Sequence, residues 1–77
     1  LSADRLELRA RLEELLLGFN STSFVSIGFS KDTDLILISI GTERPKLAAA
    51  ETRIWAPGLV EEGLEIEVQI LKGRTRS

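Results

Sequence analysis

FVSIGFSKDTDLILISIG, residues Phe24 to Gly41, reads as two apolar strands joined by one polar turn. Successive side chains of a strand point to opposite faces. In the first strand, Phe24 to Ser30, Val25, Ile27 and Phe29 therefore share one face, and Ser26 and Gly28 lie on the reverse. Lys31-Asp32-Thr33-Asp34 is built of turn-forming residues. The second strand, Leu35 to Gly41, places Ile36, Ile38 and Ile40 on one face and Leu35, Leu37 and Ser39 on the other. A strand apolar on both sides must be covered on both sides, by its own chain or by another. The isoleucines are expected in the core, with the leucines behind them.

Upstream, Ala3 to Leu17 has the spacing of an amphipathic helix. Leu8, Leu12, Leu15 and Leu16 form one stripe, and Glu7, Arg9, Arg11, Glu13 and Glu14 lie mostly opposite. Ser2 is placed to cap it, with Asp4 in the first turn and Leu1 and Leu6 as a hydrophobic staple. Glu7 and Arg11 are spaced as an i,i+4 ion pair. Gly18 is suited to end the helix in a left-handed conformation.

Downstream, Pro45 fits the first turn of a second helix, where its missing N–H costs nothing. Leu47, Ala50, Ile54 and Trp55 continue the helical spacing, and Pro57-Gly58 is expected to stop it, giving a helix from Pro45 to about Ile54. A turn over Leu59 to Gly63 leads to a third strand. There Leu64, Ile66, Val68 and Ile70 alternate with Glu65, Glu67 and Gln69, as in a strand with one face in water. Lys72 to Ser77 reads as a frayed basic tail.

The expected fold is α+β in the order α-β-β-α-β, a three-stranded sheet with two helices packed on one face. A helix between the second and third strands makes a crossover, so those strands should run parallel if they share a sheet. The pattern leaves open whether the third strand lies beside the first or the second.

Seventy-seven residues allow one domain, 1–77, without room for a second core. The chain does not begin with Met, and the expectation is a module of a longer protein. Cys, His, Tyr and Met are all absent, so there is no disulfide and no thiolate metal site. The apolar runs fall well short of the ~18–20 residues that span a bilayer, and no basic segment followed by an apolar stretch opens the chain. No membrane insertion is expected; the compartment is undetermined, with a soluble, cytoplasmic setting favoured over a secretory one. Asn20-Ser21-Thr22 matches a glycosylation acceptor, which has meaning only in a secreted eukaryotic protein; an ordinary loop is the favoured reading.

Without His or Cys the commonest general base and the strongest nucleophile are missing, so the chain is not expected to be an enzyme. Asp32 and Asp34 are too few ligands for a dedicated cation site, and Glu61, Glu62, Glu65 and Glu67 read as a solvated turn and strand face. The glycines form no phosphate-binding motif, and no cofactor is expected. Arg44, Lys46, Arg53 and Lys72 could make a small basic patch, as in a KH-like RNA- or ligand-binding module. Against nucleic acid stand the net charge of −2, and Leu59-Val60-Glu61 after Gly58 where a G-x-x-G loop would be.

The remaining candidates form a protein interface. Phe24, Leu35 and Leu37 would make an apolar patch on the reverse face, and such a patch is usually explained by contact with another chain. The competing expectation is that the first helix or Leu59-Val60 folds over them. Trp55 could anchor an interface, although closing the edge of a small core is the favoured role. A free strand edge offers a second route to assembly. The function expected is a non-catalytic interaction or oligomerisation module whose partner is a second copy or a domain of the same parent chain.

Ser26-Ile27-Gly28, the apolar run Ile36 to Ile40, Arg44-Pro45, Gly63-Leu64-Glu65-Ile66-Glu67-Val68 and Gly73 follow one another in an order that resembles a small bacterial domain found alone or ahead of trypsin-like protease domains. That pattern has a Pro between the Gly and the Val of its last strand, where this chain has Glu65. The resemblance implies a small α/β domain and no catalytic residue.

Overall fold

The computed structural model describes residues 3–73. The order is α1 (Ala3–Leu17), β1 (Phe24–Phe29), β2 (Leu35–Thr42), α2 (Pro45–Glu61) and β3 (Glu65–Lys72). The expected α-β-β-α-β topology is present, as one three-stranded mixed sheet. Sheet order is β1-β2-β3, which settles the position of the third strand. β1 and β2 form an antiparallel hairpin, closed by the Ser30 N–H donating to the Leu35 carbonyl at 3.0 Å. β2 and β3 run parallel, as the α2 crossover requires.

Register assigns the faces. Val25, Ile27 and Phe29 lie opposite Ile40, Ile38 and Ile36, which in turn lie opposite Ile70, Val68 and Ile66. Both helices pack on this side. α1 contributes Leu12 and Leu16, and α2 contributes Trp55 and Leu59, to one core cluster with Ile27, Ile36, Ile38 and Ile40. Ile36, Ile38 and Ile40 are 2%, 1% and 2% exposed, and each such burial is worth ~1.5–3 kcal/mol.

Several local expectations are corrected. The α1 stripe is Leu8, Leu12 and Leu16; Leu15 is exposed, because it lies 100° around the helix from Leu16. Gly18 does not adopt a positive φ. The helix ends instead with the Gly18 and Phe19 N–H groups donating three residues back, to Leu15 and Leu16 carbonyls, at 3.2 Å each. Arg11, spaced to pair with Glu7, reaches Glu62 beyond the end of α2 at 2.8 Å. Ser2 and Leu1, the expected cap and staple, lie outside the described residues.

α2 does not stop before Pro57-Gly58 but runs through both to Glu61. Trp55 and Leu59 straddle Pro57 at i and i+4, and both are buried. Ending the helix at Ile54 would withdraw Leu59 from the core, and that burial outweighs the hydrogen bond Pro57 cannot make. Pro57 and Gly58 are both exposed, so neither disturbs packing. The true stop is Gly63, at φ +91°. Its N–H donates to the Val60 carbonyl at 2.9 Å, and the Leu64 N–H donates to the Leu59 carbonyl at 3.2 Å. That pair of bonds is a Schellman motif, which needs a left-handed residue at this point. β3 continues to Lys72, and the Gly73 N–H donates to the Thr42 carbonyl at 2.7 Å. Lys72 thus belongs to the sheet rather than to a tail; residues 74–77 lie outside the described residues.

Two substitutions test this account by thermal denaturation followed by circular dichroism. Pro57→Ala should raise stability by about 1–3 kcal/mol by restoring a helical N–H. Gly63→Ala should lower it by about 1–2 kcal/mol, because a Cβ disfavours the left-handed backbone. In a domain of this size 1 kcal/mol moves Tm by roughly 4–8 °C. A lower Tm for Pro57→Ala would show that the fold depends on Pro57 within α2.

Candidate interaction surface

Both helices lie on the isoleucine side, and neither α1 nor Leu59-Val60 covers the reverse face among the described residues. Leu59 is in the core and Val60 is exposed on α2. The reverse face is laid out in rows across the sheet: Leu35 beside Glu65; Gly28, Leu37 and Glu67; Ser26, Ser39 and Gln69; Phe24, Gly41 and Leu71. Leu37 is 42% exposed and Leu71 38%, while Phe24 and Leu35 are half-buried.

The patch is therefore divided. Leu35 and Leu37 form one apolar island, Phe24 and Leu71 another, and the Ser26-Ser39-Gln69 row separates them. Leu71 was not singled out in the sequence. The signal was present, because Leu71 continues the parity of Glu65, Glu67 and Gln69, but the three polar residues disguise a face that turns apolar at its end. Phe24 is held by a specific contact. Its ring lies over Gly41, which is buried beneath it and where a Cβ would overlap the ring. A glycine opposite an aromatic on a neighbouring strand lets the ring lie flat on the backbone.

Trp55 is 7% exposed and belongs to the core cluster, so its ring is part of the fold's interior rather than of a surface. The basic residues are only partly gathered. Lys72 is paired with Thr42 in the ladder, Arg44 directly precedes α2, and Lys46 is in its first turn, so these three share one end of the sheet. Arg53 lies two turns further along α2. All four are exposed, and Glu43 sits among the first three. The Arg44 N–H donates to the Thr42 hydroxyl at 2.8 Å, which fixes the turn into α2.

On the helix side an open hollow of about 290 Å³ is lined by Leu8, Phe29, Ile36 and Leu64 with Arg5, Asp34 and Glu65. Its cation is already engaged: the Arg5 guanidinium stacks 5.3 Å above the Phe29 ring and lies 3.9 Å from Asp34. Among the described residues no group of three or more Asp and Glu side chains is placed to hold a metal ion. No helix among the described residues is long and apolar enough to cross a membrane. Ser21, buried in the loop between α1 and β1, donates its hydroxyl to Glu51 of α2 and is thereby accounted for structurally.

The Phe24–Gly41 contact can be tested by a double-mutant cycle in chemical denaturation. Gly41→Ala should cost about 1–3 kcal/mol by displacing the ring. In a Phe24→Ala background the same change should cost clearly less, giving a coupling of about 0.5–3 kcal/mol. Additive effects would place the ring elsewhere. Compared with known proteins, the chain matches no family model, no curated protein and no solved structure.

Proposed function

We propose that this chain is a non-catalytic association module that docks to protein through the sheet surface its helices leave open, with a second copy as the favoured partner. The observation that carries this reading is the exposure of Leu37 and Leu71, flanked by Leu35 and Phe24, on a face that no element covers among the described residues. An exposed apolar sheet face in water is costly, and removing it from water by docking is favourable at ~25 cal/mol per Å². A lack of His and Cys, and the scatter of the carboxylates, support a role in binding rather than in catalysis.

A second reading has one observation in its favour: Arg44, Lys46 and Lys72 meet at one end of the sheet. In that reading the chain binds RNA or a small anionic ligand there. Salt-dependent binding to short single-stranded RNA, abolished by Arg44→Ala/Lys46→Ala, would favour it; no binding at low salt would dismiss it.

For the association reading, light scattering should show an average mass above the 8.5 kDa of one chain, rising with concentration. Leu35→Lys/Leu37→Lys should lower that mass while leaving the far-ultraviolet circular dichroism unchanged, since both side chains lie outside the core. A wild-type protein that remains monomeric at high concentration overturns the reading.

A further inference from the structure

The two sheet edges are not equivalent, and hydrogen-bond parity shows what each presents. In the β1–β2 ladder Ser30 and Leu35 are a bonded pair, so Gly28/Leu37, Ser26/Ser39 and Phe24/Gly41 are the others. β2 then turns the N–H and C=O groups of Ile36, Ile38, Ile40 and Thr42 toward β3. The bond from the Gly73 N–H to the Thr42 carbonyl agrees. Glu65, Glu67, Gln69 and Leu71 consequently bond inward, and Ile66, Val68, Ile70 and Lys72 present their backbone groups outward. Among the described residues no strand lies beyond β3. The side chains of Ile66, Val68 and Ile70 are only half-buried, although the β2 isoleucines beside them are almost fully so.

The helices distinguish the edges further. The α1 backbone lies nearest β1, and the α2 backbone lies nearest β3 and also approaches β2. Glu51 and Glu62 hold the side of α2 that faces Ser21 and Arg11. At 100° per residue the opposite flank carries Ala49 and Ala56, with Val60 above them. These small residues leave room for another helix alongside, and Val60 is 57% exposed.

We propose that a second copy of the chain pairs antiparallel with the β3 edge about a two-fold axis at Gln69. The inference rests on the reading of the chain as a self-associating module and assigns it a contact separate from the open face. Only even-numbered residues of β3 carry outward backbone groups, so the register moves in steps of two. With the axis at Gln69 every one of those groups is used: Ile66 faces Lys72 of the second copy and Val68 faces Ile70 of the second copy, each pair exchanging both bonds. On the reverse face Glu67 then meets Leu71 of the second copy and Gln69 meets its own equivalent, so no two carboxylates are opposed. On the helix side the half-buried Ile66, Val68 and Ile70 gain cover.

Area supports the same arrangement. One three-stranded face, with strands of six, eight and eight residues, measures at most ~26 Å by ~14 Å, or roughly 350 Å² in projection. A standard interface takes ~800 Å² from each partner. Edge pairing joins two such faces into one six-stranded surface and doubles what it can offer.

The test is amide hydrogen exchange on the full chain at low and high protein concentration, with light scattering on the same samples. Ile66, Val68, Ile70 and Lys72 amides are expected to lose their fast exchange as the chain associates, while Val25, Ile27 and Phe29 amides keep theirs. Val68→Pro removes one of the N–H groups that β3 turns outward and should abolish the pairing. Leu35→Lys/Leu37→Lys should retain both a dimer and the β3 protection. Fast exchange along β3 in an associated wild-type sample overturns the edge contact while leaving association by the open face standing. A monomeric Leu35→Lys/Leu37→Lys at high concentration overturns it too.

Discussion

Burial of one side of β2 is the constraint on which the rest depends. Ile36, Ile38 and Ile40 stand in a row in the central strand, with Ile27, Leu12, Leu16, Trp55 and Leu59 closing over them. A domain of this size has only ~0.05–0.15 kcal/mol of stability per residue, so three isoleucines at ~1.5–3 kcal/mol each carry a large share of what holds it together. The demand for cover explains the continuation of α2 through Pro57: Leu59 is needed on the core, one turn beyond Trp55. It also explains why the helix stops where it does, since Gly63 must reverse the chain at once to bring Leu64 and β3 beside β2.

Polar contacts act as braces around this core. Arg11 ties α1 to the end of α2 through Glu62, and Ser21 ties the α1–β1 loop to α2 through Glu51. Arg11 and Glu62 are both more than half exposed, so that pair contributes little beyond orientation. Buried side-chain polar atoms are all hydrogen-bonded among the described residues. Among the described residues both helices lie on one face of the three strands, and no element covers the other. Among the described residues the open face and the open β3 edge meet along the same strand.

Much of the fold was legible in the sequence. Period-two alternation in Val25-Ile27-Phe29, Ile36-Ile38-Ile40 and Ile66-Val68-Ile70 marked the strands and their inner face, and the spacing of Leu8, Leu12, Leu15 and Leu16 marked α1, with Leu15 wrongly included in its buried stripe. The Asp/Thr/Lys turn marked the hairpin, and the intervening helix made β2 and β3 parallel. These signals are local: they follow from which side chains neighbour one another along a strand or helix. The leucine face was likewise legible as a face.

What only the tertiary structure decided is long-range. Proline and glycine in sequence announce a helix end, yet α2 passes through Pro57 and Gly58 because a distant isoleucine row needs Leu59. Gly18 looks like a left-handed stop, yet that role falls to Gly63, where the chain must turn back into the sheet. Arg11 has a partner spaced four residues away but meets Glu62 instead, because packing brings α2's end to α1. Phe24, Leu35 and Leu37 appear as one patch in sequence and are two islands in space, because register interposes Ser26, Ser39 and Gln69 and adds Leu71. Alternation determined which residues share a face; pairing between strands determined which of them are neighbours, since that depends on backbone hydrogen bonds between residues far apart in the chain.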